Sequence, residues 1–376
     1  MSKKILIISG EPSGDLHAAN LIRDLKISDP SLKFFGIGGG LSRKAGADVI
    51  FDITKLALVG AVEVIKNISV VKRAHDTVMS RIKAESPDAA ILVDYPGFNL
   101  RMARDLKKRG IPVFYYISPQ LWAWAPKRID LVKKYVKKMV VFFKFEEDLY
   151  KRHGIDAEFV GHPLLDVVKV TSSRSEVLKK YGLSETRPTI AILPGSRISE
   201  INTFLPILAE SARVINEKMG GVKFILSKHP ARPASIYEGA LKGAAFEYLI
   251  AEGDLHNIVA ASDFAIVASG TATLETAIVG TPYLLVYKAS LITYMLYKIV
   301  ATIPFLGIAN VVAGRGVIPE FLQFNMTPAK ISAKTIELIS DPAKLAAMRR
   351  DLAEVKSALG SPGASARAAG AILPLL

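Results

Sequence analysis

The sequence predicts an α/β protein of two doubly wound, Rossmann-like domains, and three observations carry that prediction. Short apolar runs alternate with amphipathic segments of helix length. The alternation restarts near the middle of the chain. At 376 residues, half of them hydrophobic, the chain also exceeds what a single core normally absorbs.

In order, the apolar runs at 5–8, 34–37, 89–93, 113–117 and 139–142 read as parallel strands, because strands covered on both faces need no polar alternation. The patterns at 16–26, 100–108 and 129–137 between them are long enough to be crossover helices. A stretch at 167–175 with three serines and a threonine reads as the linker. New strands follow at 189–193, 223–226, 264–267 and 283–286, then helices at 328–339 and 342–358 and a Gly/Ser/Ala-rich tail. The expected limits are 1–168, 169–345 and a segment 346–376 that packs back on the first domain or on a partner subunit. Ligands of such sheets sit beyond the carboxyl ends of the strands, so two of them should face each other across a cleft lined by strand-end loops.

Composition narrows the chemistry. Cysteine is absent, which excludes disulfides, thiolate metal sites and cysteine nucleophiles. The formal charge is +14, and residues 101–152 alone hold 14 Lys or Arg against 5 Asp or Glu. Such a surface suits phosphates or anionic lipid, or is simply a solvated face. No RNA-binding signature or interleaved aromatic platform accompanies the charge, so nucleic acid is not an expected partner. Only four apolar residues precede Ser9-Gly10, and the apolar stretch 291–312 is broken by Lys298, Pro304 and Asn310. Neither an export signal nor a membrane span is expected, which suits a cytoplasmic protein. Residues 56–71 are nearly uncharged and lead into Lys72 and Arg73; they form either a buried core helix or one that dips into a membrane interface through Leu58, Val59, Val62 and Ile65.

The candidate site residues lie at predicted strand ends. Gly10-Glu11-Pro12-Ser13-Gly14-Asp15 follows the first strand and opens a helix, where free amides could hold a phosphate or sugar. Its spacing is neither a Walker A loop nor a dinucleotide fingerprint. Asp94 ends a strand and is a candidate general base; Asn99 is better placed than Asp94 to cap the helix that follows. Ser118, Gln120 and Trp122 lie in SPQLWAW, which suits sugar or acyl contacts or forms an apolar plug. His162 follows Phe159-Val160 and is either a ligand contact or, as a lone histidine more often is, structural. Arg197, in LPGSR, suits a diphosphate or pairs with Glu200. Ser269-Gly270-Thr271 through Glu275 reads as a nucleotide-diphosphate seat, with helix amides on the phosphates and a carboxylate on ribose, or as a capping box. Residues 310–323 read as an irregular loop leading into a short helix. No His/Asp/Glu cluster has metal-ligand spacing.

Together GEPSGD, GIGG, LVGAVEVI, DYPGFN, YISPQLWAW, FVGHPL, LPGSR, ASGTATLE, and ANVVAGR with VIPEFLQ, in this order over nearly the whole chain, resemble the motif set of lipid-A-disaccharide synthases. The resemblance implies a GT-B glycosyltransferase that needs no metal or cofactor and works at the inner-membrane surface. Its donor would be UDP-2,3-diacylglucosamine and its acceptor 2,3-diacylglucosamine 1-phosphate, yielding UDP and a β-1,6 disaccharide with inversion. It implies Asp94 as base in an acceptor-side first domain and Arg197, Glu275 and Asn310 around UDP in the second. Some members form homodimers with exchanged C-terminal segments. Two departures stand out: Gly97 replaces a common second aspartate, and Pro12 a smaller residue. A UDP-sugar epimerase or another UDP-acylaminosugar transferase would share the nucleotide seat, but an epimerase needs no acceptor.

Overall fold

In the computed structural model, which describes residues 2–52, 68–291, 293–295 and 301–376, the chain forms two compact units. One comprises Met1–Pro163 with Leu359–Leu376, the other Leu164–Ala358. The proposed membrane contacts Leu58, Val59, Val62 and Ile65 lie outside the described residues.

The first unit holds β1 (Lys4–Ser9), β2 (Lys33–Gly38), β3 (Ala47–Asp52), β4 (Ala89–Val93), β5 (Val113–Tyr116), β6 (Lys138–Val141) and β7 (Ala157–Phe159) in one sheet of order 3-2-1-4-5-6-7. Its pairings are parallel. Successive residues serve opposite faces, as a period of two requires. Leu6, Ile8, Leu92 and Tyr115 join one core, and Ile5, Ile7, Ile91 and Phe114 the other. Two helices bear directly on the site: α1 (Pro12–Ser28) and α2 (Pro96–Lys107), which follow β1 and β4, and α3 (Lys144–Arg152) follows β6.

In the second unit β8 (Thr189–Leu193), β9 (Lys223–Lys228), β10 (Tyr248–Glu252), β11 (Phe264–Ala268), β12 (Tyr283–Tyr287) and β13 (Glu320–Leu322) form a parallel sheet of order 10-9-8-11-12-13. Helix α4 (Ile198–Met219) follows β8, and α5 (Thr271–Val279) follows β11. Then come α6 (Ile308–Ala313), α7 (Pro342–Ala358) and, back in the first unit, α8 (Ala364–Ile372). The apolar runs predicted as strands are all strands; β3, β7, β10 and β13 are not among them, because all four are edge strands and only partly buried.

Two boundaries differ from expectation. The stretch 167–175 is not a linker, because Asn257 Oδ1 accepts from the Thr171 and Ser172 amides (2.7 and 3.1 Å) and Arg174 pairs with Asp263 (2.9 Å) within the second unit. The segment 346–376 is divided. Helix α7 packs on α5 and α6 in the second unit, whereas α8 buries Ala368, Ala369 and Ile372 against the first sheet. Arg367 fastens α8 by donating to the carbonyls of Val160 (2.8 Å), Pro362 (2.7 Å) and Ser361 (2.5 Å), so the tail does fold back on the first domain.

Candidate functional site

Each sheet reverses its winding once, between β1 and β4 in the first unit and between β8 and β11 in the second. Loops leave these switch points in opposite directions, which opens a crevice at the carboxyl ends. Asp94 and the Gly10–Asp15 loop lie at the first, and Arg197 and Ser269–Thr271 at the second.

At the first switch point Asp94 and Tyr95 take left-handed backbone angles, φ 46° and 48°. Side chains seldom adopt this region, and it persists only where the surroundings impose it. Here they do. Tyr115 Oη donates to the Asp94 carbonyl (2.6 Å), and Asn99 Nδ2 donates to the carbonyls of Asp94 (2.7 Å) and Val93 (3.1 Å). Asn99 therefore does not cap α2, as its spacing suggested, but clamps the elbow before it. Gly10 serves the same elbow: a Cβ there would lie 2.1 Å from the Tyr95 ring.

The elbow leaves the Asp94 carboxyl half-buried. Burial first, and then the negative charge of Glu11, push its pKa up to about 6, against a weaker pull from the Tyr95 amide. The group is thus ionised at neutral pH yet basic enough to accept a proton.

The rest of the first loop divides into exposed and structural residues. Glu11 and Ser13 are exposed at the start of α1, whereas Gly14 is buried against Ser9 and Val93. Asp15, expected at the ligand, is instead 4 % exposed and accepts from the amides of Gly39 (2.7 Å), Leu41 (3.0 Å) and Ser42 (3.1 Å) and from Ser42 Oγ (2.5 Å). It ties the first loop to the GIGG loop and has no capacity left for substrate.

One strand along, Ile117 has φ 73°, a conformation that β-branched residues avoid. Ser118 behind it is buried and shares a hydrogen bond with Tyr150 Oη (2.9 Å). Gln120 is exposed. Trp122 Nε1 donates to Glu146 Oε1 (3.0 Å), so the indole is anchored by a polar partner rather than by apolar packing alone. His162 is half-buried beside Phe142 and Phe143, and His17 also packs on Phe142; burial lowers both rings' pKa values, to about 3 and about 4, and holds them neutral. Glu146, Tyr150 and His17 were missed. A period of four on the buried side of α3 was the signal for the first two.

At the second switch point no side chain caps α5: Gly270 is its N-cap, neither Ser269 nor Thr271 closes a capping bond, and the Thr273 amide turns back to the Gly270 carbonyl (3.1 Å). The capping-box alternative is therefore not the one realised. Glu275, one turn on, is mostly buried, which raises its pKa, and it lies 3.6 Å from His256 Nε2, a partner the sequence reading overlooked. Arg197 stands before α4 with its side chain exposed and pairs with Glu200 Oε1 (2.7 Å), the alternative left open by the sequence. Arg232, also missed, donates to the Ser196 carbonyl (2.8 Å) and braces that loop.

Asn310 departs most from expectation. It lies in α6 rather than in an irregular loop and is 1 % exposed. Its Oδ1 accepts from the Val317 and Ile318 amides (2.7 and 2.9 Å), and its Nδ2 donates to the Ile318 carbonyl (3.0 Å) and Glu320 Oε1 (2.7 Å). Every hydrogen-bonding position is used internally, so Asn310 shapes the turn into β13 and has none left for a nucleotide. Among the described residues no three His, Asp or Glu side chains converge as a metal site would require.

Comparison with known proteins gives this geometry a context. The fold is shared with UDP-GlcNAc 2-epimerase from Neisseria meningitidis (TM-score 0.64, 12 % identity, covering 99 % of this chain and 100 % of that one). It is shared likewise with MurG from Acinetobacter baumannii (TM-score 0.61, 15 % identity, 99 % of each), in keeping with the expected GT-B class. In sequence the chain is 41 % identical to a lipid-A-disaccharide synthase of Syntrophus aciditrophicus, over 100 % of this chain and 98 % of that protein. It is 39 % identical to one of Geobacter sulfurreducens with the same coverage. The model of the lipid-A-disaccharide synthetase family matches residues 5–372, and the chain belongs to that family.

Proposed function

We propose that the protein transfers 2,3-diacylglucosamine from its UDP derivative to the 6-hydroxyl of 2,3-diacylglucosamine 1-phosphate, releasing UDP and a β-1,6 disaccharide. One observation carries the reading: a carboxyl group with a raised pKa, Asp94, fixed on a clamped elbow at the first switch point. The acceptor hydroxyl gives its proton to Asp94 as its oxygen attacks the anomeric carbon opposite UDP, and one displacement inverts the linkage.

The leaving diphosphate meets the N-terminal amides of α5 and the Arg197 guanidinium, with Glu275 toward the ribose. The Arg197–Glu200 pair is no obstacle, because an exposed ion pair contributes only about 0–1 kcal/mol and a diphosphate offers a stronger bidentate partner. Glu11, Ser13, Gln120 and Trp122 remain candidates for sugar or acyl contacts, whereas Asp15, Gly14 and Asn310 support the frame. No described helix is long and apolar enough to cross a membrane, and the acyl chains of both substrates favour a peripheral place at the inner membrane.

Incubating the purified protein with both lipid substrates and separating the products tests the reading. Disaccharide and UDP should appear in equal amounts only when both substrates are present. A UDP-sugar isomer formed without acceptor would replace this reading with that of an epimerase.

A further inference from the structure

The first unit contains a second buried carboxyl group that the reaction above does not use. Glu146, in the first turn of α3, is 2 % exposed. It accepts from Trp122 Nε1 (3.0 Å), and the Ser118 hydroxyl and the backbone amides of Phe142 and Phe143 act on its charge from nearby. Ser118 in turn bonds Tyr150 Oη one helical turn further along α3. These contacts converge on the segment just after β5, where Ile117 is held at φ 73°. β5 pairs with β4 up to Val93↔Tyr116, so that segment starts one strand spacing, about 4.8 Å, from the Asp94 elbow.

A plug under a loop would need no carboxyl group: an apolar side chain would fill the space without the desolvation cost. Strained backbone at Ile117 does need something to impose it. We propose that Glu146 is a positioning residue for the transfer at Asp94: its carboxyl group holds the Trp122 indole while Tyr150, one turn on, holds the Ser118 hydroxyl, and together they fix the loop after β5 against the elbow. This rests on Asp94 being the base.

Burial outweighs the donors around Glu146 and pushes its pKa up to about 8. Its titratable neighbour on the same helix is Tyr150, whose pKa burial raises as well. Lys144 and Lys151 are engaged by Glu147 instead. Trp122 and Ser118 face it from the loop and do not titrate in this range, and His162, across Phe143, is held neutral by burial.

Glu146→Ala, Glu146→Gln and Tyr150→Phe, each in full-length protein, test the assignment through turnover, UDP affinity, thermal melting and indole emission against pH. Glu146→Ala should lower kcat about 10²-fold, the scale of a misplaced site, with UDP affinity unchanged. Glu146→Gln, which keeps one acceptor and gains a fixed donor, should restore most of that loss. With Trp124→Phe isolating Trp122, wild-type emission should titrate near pH 8 and the Gln variant should not. Near-normal turnover in a folded Ala variant, a Gln variant as impaired as Ala, or an emission that does not titrate would each overturn the proposal. Should Ala fail to fold, Gln still decides it: near-wild-type turnover with an emission that no longer titrates supports the proposal, and an emission that still titrates near pH 8 overturns it. A wild-type protein that makes no disaccharide but whose emission titrates as expected would sink the functional reading and leave the hold on Trp122 standing.

Discussion

The two switch points solve different problems with the same topology. The first is tense: Asp94, Tyr95 and Ile117 all hold positive φ, and buried tyrosines and Asn99 clamp them. The second is relaxed: its turns are managed by glycines such as Gly195 (φ 102°), no side chain caps its helix, and its guanidinium lies at the surface. A reacting carboxyl group must be placed to within a fraction of an ångström and partly desolvated, which strain and burial provide. A diphosphate needs charge and accessible amides, which a stiff, buried frame would obstruct.

This contrast is breakable by substitution. The largest effect belongs to Asp94→Asn, which keeps the shape but cannot take a proton: kcat should fall about 10²- to 10⁴-fold with UDP affinity intact. Its melting temperature at neutral pH should hold or rise. The folded-state pKa of Asp94 lies above its unfolded value, so the ionised group costs stability that accumulates as pH climbs from about 4 to 6, and Asn removes that cost. Unfolding of the Asn variant would make Asp94 a structural residue.

Arg197→Ala should act at the other switch point only, weakening UDP binding about 10- to 100-fold by calorimetry, as expected for loss of charge-assisted bonds. Unchanged affinity would confine Arg197 to its pair with Glu200. Gly10→Ala sharpens the comparison further, because the new methyl group must displace the Tyr95 ring. Denaturant melts should show about 1–3 kcal/mol of destabilisation, the usual scale of overpacking, and turnover should fall because Asp94 adjoins that ring. A neutral result would show that the elbow is softer than its hydrogen bonds imply.

The sequence revealed the strands and the switch points well, because continuous apolar runs and strand-end motifs are local signals. Asp94, Arg197 and Ser269–Thr271 fall where their spacing placed them. What it could not reveal is which polar residues the frame consumes. Asp15 and Asn310 look like ligand contacts in sequence, yet each saturates its hydrogen bonds on backbone amides and carbonyls brought in by folding, 24 to 27 residues away for Asp15. Glu146 failed in the opposite direction. In a sequence of surface charges it reads as one more, and only packing against Trp122 and Ser118 distinguishes it from Glu147, which lysines hold well below the usual carboxylate range. The split of α7 from α8 was illegible for a similar reason, since both are helices of ordinary composition and only their partners differ.

The pH dependence of kcat tests the central claim most directly, because it reads the Asp94 proton itself. The wild-type protein should lose activity on acidification with a midpoint of about 6, the pKa set by burial and Glu11, and the residual rate of Asp94→Asn should show no such limb. An acidic limb that persists unchanged in Asp94→Asn would contradict the account and place the base elsewhere.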